Sequence, residues 1–163
     1  MKNWIKILLF FVTSFTLIGC DRITKDLAKS HLADSGSLSY FHDTFRLEYT
    51  ENTGAAYGLG EHLSKPMNLW LLSIIPLVFL LILFIYVIRK SKEMSFLKMF
   101  LIALIFAGGV GNIIDRIIFH RHVTDFMNLG IQNFRTAIFN FADVYITIGV
   151  IAFVIFSYNK KII

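Results

Sequence analysis

Apolar and polar positions fall in long blocks along this chain of 163 residues. Four apolar stretches are each close to the roughly 20 residues that an α-helix needs to cross a bilayer. They cover residues 4–20, 67–88, 96–118 and 138–158. Pro76 lies inside the second stretch, where it predicts a kink. Residues 45–52, FRLEYTEN, alternate apolar and polar side chains and predict a strand. The pattern therefore predicts an α-helical membrane protein with four transmembrane helices and a small β-sheet or loop subdomain outside the bilayer.

Composition supports the membrane class. Hydrophobic residues make up 56% of the chain, its mean hydropathy is +0.65, and 17% of its residues are charged. Soluble domains carry about a quarter of charged residues, and a chain this short could not bury so much apolar surface in a soluble core. We therefore expect one membrane-embedded domain over residues 1–163. Cys20 is the only cysteine, so an intrachain disulfide is excluded.

Basic residues indicate how the chain is oriented. The net charge is +5, but its lysines and arginines are dispersed rather than gathered on one face, which argues against a nucleic-acid partner. Many lie at the same set of ends of the apolar stretches: Lys2, Lys6, Arg89, Lys90, Lys92, Lys98, Lys160 and Lys161. Basic residues in short loops favour the cytoplasmic side. Both termini are therefore predicted to be cytoplasmic, and residues 21–66 and 119–137 extracytoplasmic.

Polar residues gather at the opposite, outer ends of the apolar stretches. Charges within or beside a membrane span are costly, so each one requires a partner or a function. The set comprises Asp21, Lys25, Asn52, Asn112, Asp115, Arg116, Asp125, Asn140 and Asp143. By the predicted topology they share one side of the membrane and a similar depth. Convergence of the four carboxylates in this set is the main clue to function.

Two pairs within this set have structural explanations. Asp21 and Lys25 are spaced four residues apart, which is the spacing of an ordinary helical salt bridge. Asp115 and Arg116 are predicted to form an internal ion pair that neutralises both charges. An arginine is always charged, so a carboxylate beside it is a poor proton donor.

Small residues interrupt the third apolar stretch at Gly108, Gly109 and Gly111. Glycines in membrane helices commonly allow two backbones to approach closely. They predict tight packing against a neighbouring helix, a role that does not exclude function.

Asp125 and Asp143 are harder to explain as structural residues. Apolar side chains flank both, and the nearest basic residue before Asp143 is Arg135. Two carboxyl groups that share a site cannot both ionise cheaply, so the pair holds one proton. Such a pair can activate water and polarise a carbonyl, as in an aspartic protease. A transporter or proton channel could use the same acids, although the inner halves of the spans, such as residues 77–88, are almost wholly apolar.

The first apolar stretch ends in Leu17-Ile18-Gly19-Cys20, which resembles the lipobox at which bacterial lipoproteins are lipidated and cut. A mature lipoprotein is normally a soluble domain on a lipid tether, whereas three further apolar stretches follow here. We therefore interpret these residues as the outer end of the first span.

Five motifs follow one another along the chain: DRITK at 21–25, NTGAA at 52–56, GGVGNIIDR at 108–116, VTDF at 123–126 and FNFAD at 139–143. In this order they resemble the bacterial lipoprotein signal peptidases, also called signal peptidase II, over nearly the whole chain. One position departs from the family pattern, because many relatives have Gln where this chain has Arg22.

The resemblance implies a membrane aspartic endopeptidase with Asp125 and Asp143 as its catalytic pair. It implies substrate-binding or supporting roles for Asp21, Lys25, Asn52, Gly54, Gly108, Asn112, Asp115, Arg116, Asn140 and Ala142. The implied substrates are diacylglyceryl-modified prolipoproteins, cut just before the lipidated cysteine, and the other expected partners are membrane lipids. The implied location is the bacterial cytoplasmic (inner) membrane, with the active site at the extracytoplasmic face. No metal or organic cofactor is implied, and a monomer is expected. Residues 52–60 are a candidate flap over the site.

Overall fold

The computed structural model describes residues 3–158. Lys2, Lys160 and Lys161, which carry part of the predicted orientation, lie outside the described residues. Within the described range, four helices are long and apolar enough to cross a membrane. Their exposed surfaces are rich in large apolar side chains, such as Phe15 and Ile82. Such surfaces suit contact with lipid, since a helix satisfies its backbone hydrogen bonds internally.

The helices follow the predicted order. Helix α1 spans Asn3–Leu32, α4 spans Phe96–Ile118 and α5 spans Phe141–Tyr158. The second span combines a short helix α2 (Lys65–Leu69), a π-helical turn (Trp70–Ile74) and helix α3 (Ile75–Lys90). The predicted fold class is confirmed.

The helices differ from the apolar stretches in their bounds at two places, and from the predicted kink at a third. Helix α1 continues beyond the apolar stretch that ends at Cys20, and residues 21–32 extend it as a helix. Helix α5 begins at Phe141 rather than at residue 138, because Phe139 is extended and bridges Met127. Where Pro76 predicted a kink, the chain forms the π-helical turn just before it. Proline lacks an N–H and crowds the carbonyl four residues earlier, which accounts for the wider turn.

Four antiparallel strands form the sheet, in the order β1 (Leu38–Tyr40), β2 (Phe45–Asn52), β3 (Val123–Ile131) and β4 (Phe134–Arg135). Strand β2 has the bounds that its alternation predicted. Its register on β3 shifts between Leu47 and Thr50, which is a β-bulge. Beyond the bulge, Thr50 pairs with Asp125 and Asn52 with Val123. The irregularity brings the end of β2 beside Asp125.

Helix α4 lies at the centre of the bundle and packs against α1, α3 and α5. One buried apolar cluster fills the end of the bundle away from the sheet and contains Phe10, Val87, Met94, Met99, Ile102 and Ala103. A second joins the end of α1 to the sheet through Ala28, Leu32, Phe126 and Met127. The sheet therefore packs against the C-terminal part of α1.

Glycines set the close approach of α4 to its neighbours. A Cβ atom on Gly108 would collide with the carbonyl oxygen of Ala142 and would lie 2.8 Å from Ile146. A Cβ on Gly109 would lie 2.7 Å from Leu80 of α3. The packing role predicted for these glycines is confirmed.

We predict that Gly108→Ala destabilises the protein by about 1–3 kcal/mol, because backbone atoms of α5 would have to move. Thermal unfolding in detergent micelles measures this. Gly19→Ala is the matched control, because nothing lies within 4 Å of a Cβ at that position. Equal stability of the two variants would contradict the close approach of α4 and α5.

Candidate active site

Asn140 donates hydrogen bonds to both candidate catalytic carboxylates, Asp125 and Asp143. Its side-chain Nδ2 donates to Asp125 Oδ1 at 2.6 Å, and its backbone N–H donates to Asp143 Oδ2 at 3.0 Å. The Asp143 backbone N–H in turn donates to Asn140 Oδ1 at 3.0 Å. This reciprocal pair of bonds is the capping-box arrangement at a helix start. The local sequence that begins α5 therefore also fixes Asp143 beside Asp125.

The remaining carboxylate oxygens accept hydrogen bonds from two further asparagines. Asn52 Nδ2 donates to Asp125 Oδ2 at 3.0 Å, and Asn112 Nδ2 donates to Asp143 Oδ1 at 2.8 Å. Each carboxylate is thus held at both oxygens by neutral donors. An amide carries no charge, so it orients a carboxylate without forcing it to stay ionised as an arginine would.

Asp125 lies on β3, outside the membrane spans, and its side chain is buried. The pKa of the Asp125 carboxyl is raised to about 7. Burial is the largest cause and the nearby charge of Asp143 adds to it, whereas hydrogen bonds from Asn52 and Asn140 oppose the rise. A carboxyl with a pKa near 7 can hold a proton at neutral pH, which is the state that a general acid needs.

Behind the carboxylate pair lies a buried ionic network. The Lys25 ammonium is fully buried and pairs with Asp21 at 2.8 Å and with Asp115 at 2.9 Å. Lys25 Nζ also donates to Asn112 Oδ1 at 3.0 Å. This bond turns the other end of the Asn112 amide, its Nδ2, toward Asp143. The predicted salt bridge between Asp21 and Lys25 is therefore present, but it is buried and connected to the candidate site.

The predicted ion pair between Asp115 and Arg116 is wrong. Asp115 pairs with Lys25 at 2.9 Å and with Arg22 at 2.5 Å. Arg116 instead donates from Nη2 to the carbonyl oxygen of Gly54 at 3.0 Å. Successive residues on a helix point in directions about 100° apart, so adjacent side chains do not face each other.

The carboxylates face a cavity of about 460 Å³ between α4, α5, β3 and residues 52–57. Its polar lining includes Asn52, Asn112, Arg116, Asp125 and Asp143, and its apolar lining includes Val123, Ile138, Phe139 and Ile146. An apolar cleft with a few converging polar groups is the usual form of a ligand site.

The other predicted supporting residues lie behind this cavity. Asp21 Oδ1 accepts a hydrogen bond from the backbone N–H of Ala142 at 2.9 Å. Ala142 and Gly108 lie at the contact of α4 with α5, where the Gly108 hydrogen allows the close approach. Gly54 and Asn140, in contrast, contact residues of the site directly. The predicted set is thus brought together in two layers, one lining the cavity and one supporting it.

One feature of the site was missed from the sequence: Asn68 of α2, which holds the loop of residues 53–60. Residues 55–57 of this loop line the cavity, within the segment 52–60 that was a candidate flap. The signal for Asn68 was a lone amide near the outer end of an apolar span, where a polar side chain requires a partner. Within residues 3–158, no group of three or more His, Cys, Asp or Glu side chains is placed to hold a metal ion.

The fold and the site together define a class: a polytopic membrane protein with a paired-carboxylate cleft at one end of its helical bundle. Comparison with known proteins narrows this class. A sequence profile described as "Signal peptidase (SPase) II" matches residues 13–159. The chain belongs to this family.

Individual relatives and a solved structure support this family assignment. The chain is 40% identical over 162 residues to a lipoprotein signal peptidase of Chlorobium phaeobacteroides (strain BS1), covering 93% of this chain and 96% of that one. It is 33% identical over 159 residues to the lipoprotein signal peptidase of Borreliella burgdorferi (strain ZS7), covering 93% of this chain and 90% of that one. A solved bacterial membrane enzyme superposes with a TM-score of 0.77 at 28% identity, covering 95% of this chain and 90% of that one.

We predict that Lys25→Met destabilises the protein by about 3–5 kcal/mol, because Asp21 and Asp115 would be left buried without their shared cation. Denaturant or thermal unfolding in micelles measures the loss. Lys29→Met is the control: this lysine is 48% exposed at its side chain and pairs with Glu51, so its removal costs at most about 1 kcal/mol. A small effect at Lys25 would show that the network is not needed for stability.

Proposed function

We propose that this protein is a membrane aspartic endopeptidase that removes signal peptides from prolipoproteins. The observation that carries the proposal is the pair Asp125 and Asp143, held by Asn140 and facing the cavity, in a chain of the signal peptidase II family. Catalysis needs no group beyond the two carboxyls and a water molecule.

The two acids have different roles in the proposed reaction. Asp125 holds the proton at neutral pH and donates a hydrogen bond to the scissile carbonyl oxygen. Ionised Asp143 takes a proton from water, whose oxygen attacks the carbonyl carbon. The tetrahedral intermediate collapses when the leaving amine accepts a proton from the pair. The amides of Asn52, Asn112 and Asn140 keep both carboxyls in place throughout.

The proposed substrate is a prolipoprotein whose cysteine carries diacylglycerol, cut immediately before that cysteine. The apolar side of the cavity, with Ile138, Phe139 and Ile146, suits small apolar side chains and lipid-proximal groups. Arg116 and Asn52 are placed to hold polar backbone or headgroup atoms. Asp21, Lys25 and Asp115 support the site from behind, together with Gly108 and Ala142.

We further propose that the protein acts as a monomeric single domain in the bacterial cytoplasmic membrane, among membrane lipids. Both termini would be cytoplasmic and the site extracytoplasmic. Lys6 supports this orientation, because its Nζ donates to the Met94 carbonyl at 2.7 Å in the basic connection between α3 and α4, away from the sheet. The apolar cluster of Phe10, Val87 and Ile102 fills that end of the bundle and argues against a transport pathway.

We predict that Asp125→Asn and Asp143→Asn each reduce processing of a lipidated precursor by at least about 10⁴-fold, since neither variant can complete the proton transfers. An in vitro cleavage assay with purified protein measures this, and an unlipidated precursor tests the lipid requirement. Asp34→Asn, an exposed aspartate outside the site, is the control. Cleavage at the normal rate by either site variant would rule out the two-aspartate mechanism.

The pH dependence gives a separate prediction. Because the pKa of Asp125 is raised to about 7, this acid loses its proton as pH rises through about 7, and kcat/KM falls there. Asn52→Ala removes a hydrogen bond that favours the ionised form, so the falling limb should move to higher pH. Initial rates at subsaturating substrate across pH 5–9 would locate the falling limb in the wild type and in the variant. We expect the two midpoints to differ by on the order of one pH unit. An unchanged limb in the variant would contradict the assignment to Asp125.

A further inference from the structure

Residues 53–60 form a loop that borders the cavity, and one side chain from the next helix holds both of its ends. Asn68 of α2 donates from Nδ2 to the carbonyl oxygen of Thr53 at 2.7 Å and to that of Gly60 at 3.2 Å. A primary amide has two N–H donors, so each end of the loop receives one. Because both acceptors are carbonyls, the orientation of the amide is determined.

Asn68 is 1% exposed, and its Oδ1 has no hydrogen-bond partner within the described residues. An unpaired buried acceptor costs free energy, and buried polar groups are usually satisfied. The side chain thus directs both donors to the loop while its acceptor stays unpaired. Such an arrangement is expected where holding the loop matters more than local stability.

The loop is folded back on itself between these two ends. The Ala55 N–H donates to the Leu59 carbonyl at 2.7 Å, and the Gly58 N–H donates to the Ala55 carbonyl at 3.0 Å. A Cβ on Gly54 would lie only 2.7 Å from the Leu59 oxygen. Tyr57 has a φ of 57°, in the left-handed region that a bulky residue rarely adopts. Such a strained loop conformation persists only when the surrounding structure holds the two ends of the loop in place.

The loop also fixes the orientation of Asn52. Asn52 Oδ1 accepts from the Gly54 N–H at 2.8 Å, and Asn52 Nδ2 donates both to the Ala55 carbonyl at 3.2 Å and to Asp125 Oδ2 at 3.0 Å. The direction in which Asn52 presents its N–H to Asp125 therefore depends on where Gly54 and Ala55 lie. Those two residues lie between the ends that Asn68 holds.

We propose that Asn68 is a positioning residue for the peptidase reaction: it clamps the 53–60 loop closed, and the loop holds Asn52 toward Asp125. This inference rests on the proposed function. Asn68 touches neither the reacting atoms nor the two carboxyls, and it acts through the loop. The substitutions that test it are Asn68→Asp, which keeps the shape but removes both donors, and Asn68→Leu, which is neutral and similar in size.

Hydrogen exchange of the wild-type protein and both variants in micelles tests the clamp without substrate. We expect the Ala55 and Leu59 amides to exchange at least roughly tenfold faster in both variants, while amides in α4 and α5 keep their protection. Ser73→Ala is the matched control, because this buried hydroxyl on the same span has no partner within residues 3–158. Unchanged loop exchange in both Asn68 variants would overturn the proposal, as would equal loss of protection throughout the bundle.

Cleavage kinetics test the positioning role. We expect kcat to fall roughly tenfold or more in both Asn68 variants, with a smaller change in KM, because Asn52 no longer presents its N–H in a fixed direction. The control should match the wild type in both constants. Faster loop exchange with unchanged kcat would overturn the positioning role. If the wild-type protein fails to cleave the lipidated precursor, the proposed function is refuted and the positioning role falls with it, while the exchange data still decide whether Asn68 clamps the loop.

Discussion

The burial of one ammonium group determines much of this structure. Lys25 lies in the interior of a membrane protein, where an unpaired charge costs several kcal/mol or more. Two carboxylates from different helices, Asp21 and Asp115, surround it, and Arg22 supplies the second cation that balances them. Helices α1 and α4 can therefore pack in only one rotation and one register along their axes. That register also places Asn112 where it can reach Asp143.

The side chains that link this buried network and the loops to the two carboxyls of the site are neutral. Three asparagines, Asn52, Asn112 and Asn140, carry the contacts to the two acids. Each amide has both a donor and an acceptor, so one end can be anchored in the scaffold while the other contacts a carboxyl. Within residues 3–158, the ionic network thus contacts Asp143 only through the Asn112 amide. This separation lets the scaffold be strongly charged while Asp125 keeps a pKa near 7.

The helices, strand β2 and most of the site were predictable from the sequence, because each has a local signal. Strand β3 lacks such a signal: its first six residues are all buried, so apolar and polar positions do not alternate. Asp115 illustrates the other limit. Its partner Arg22 lies 93 residues earlier, and only the packing of two helices brings them together, whereas proximity in sequence favoured Arg116. Asn68 was missed because a single amide in an apolar span does not reveal which backbone atoms it will meet.

The two ends of the bundle differ in one further respect. The carboxyls of the site lie at the end of the bundle that carries the sheet, whereas a cluster of buried apolar side chains around Phe10, Val87 and Ile102 fills the opposite end. The cavity in front of Asp125 and Asp143 lies at the sheet end, so the apolar cluster separates these carboxyls from the opposite end of the bundle. A carboxyl with a pKa near 7, such as Asp125, would offer a path for proton leakage if polar groups continued that path across the membrane. The apolar cluster interrupts such a path, so a titratable carboxyl at one end of the bundle is compatible with a membrane that maintains a proton gradient.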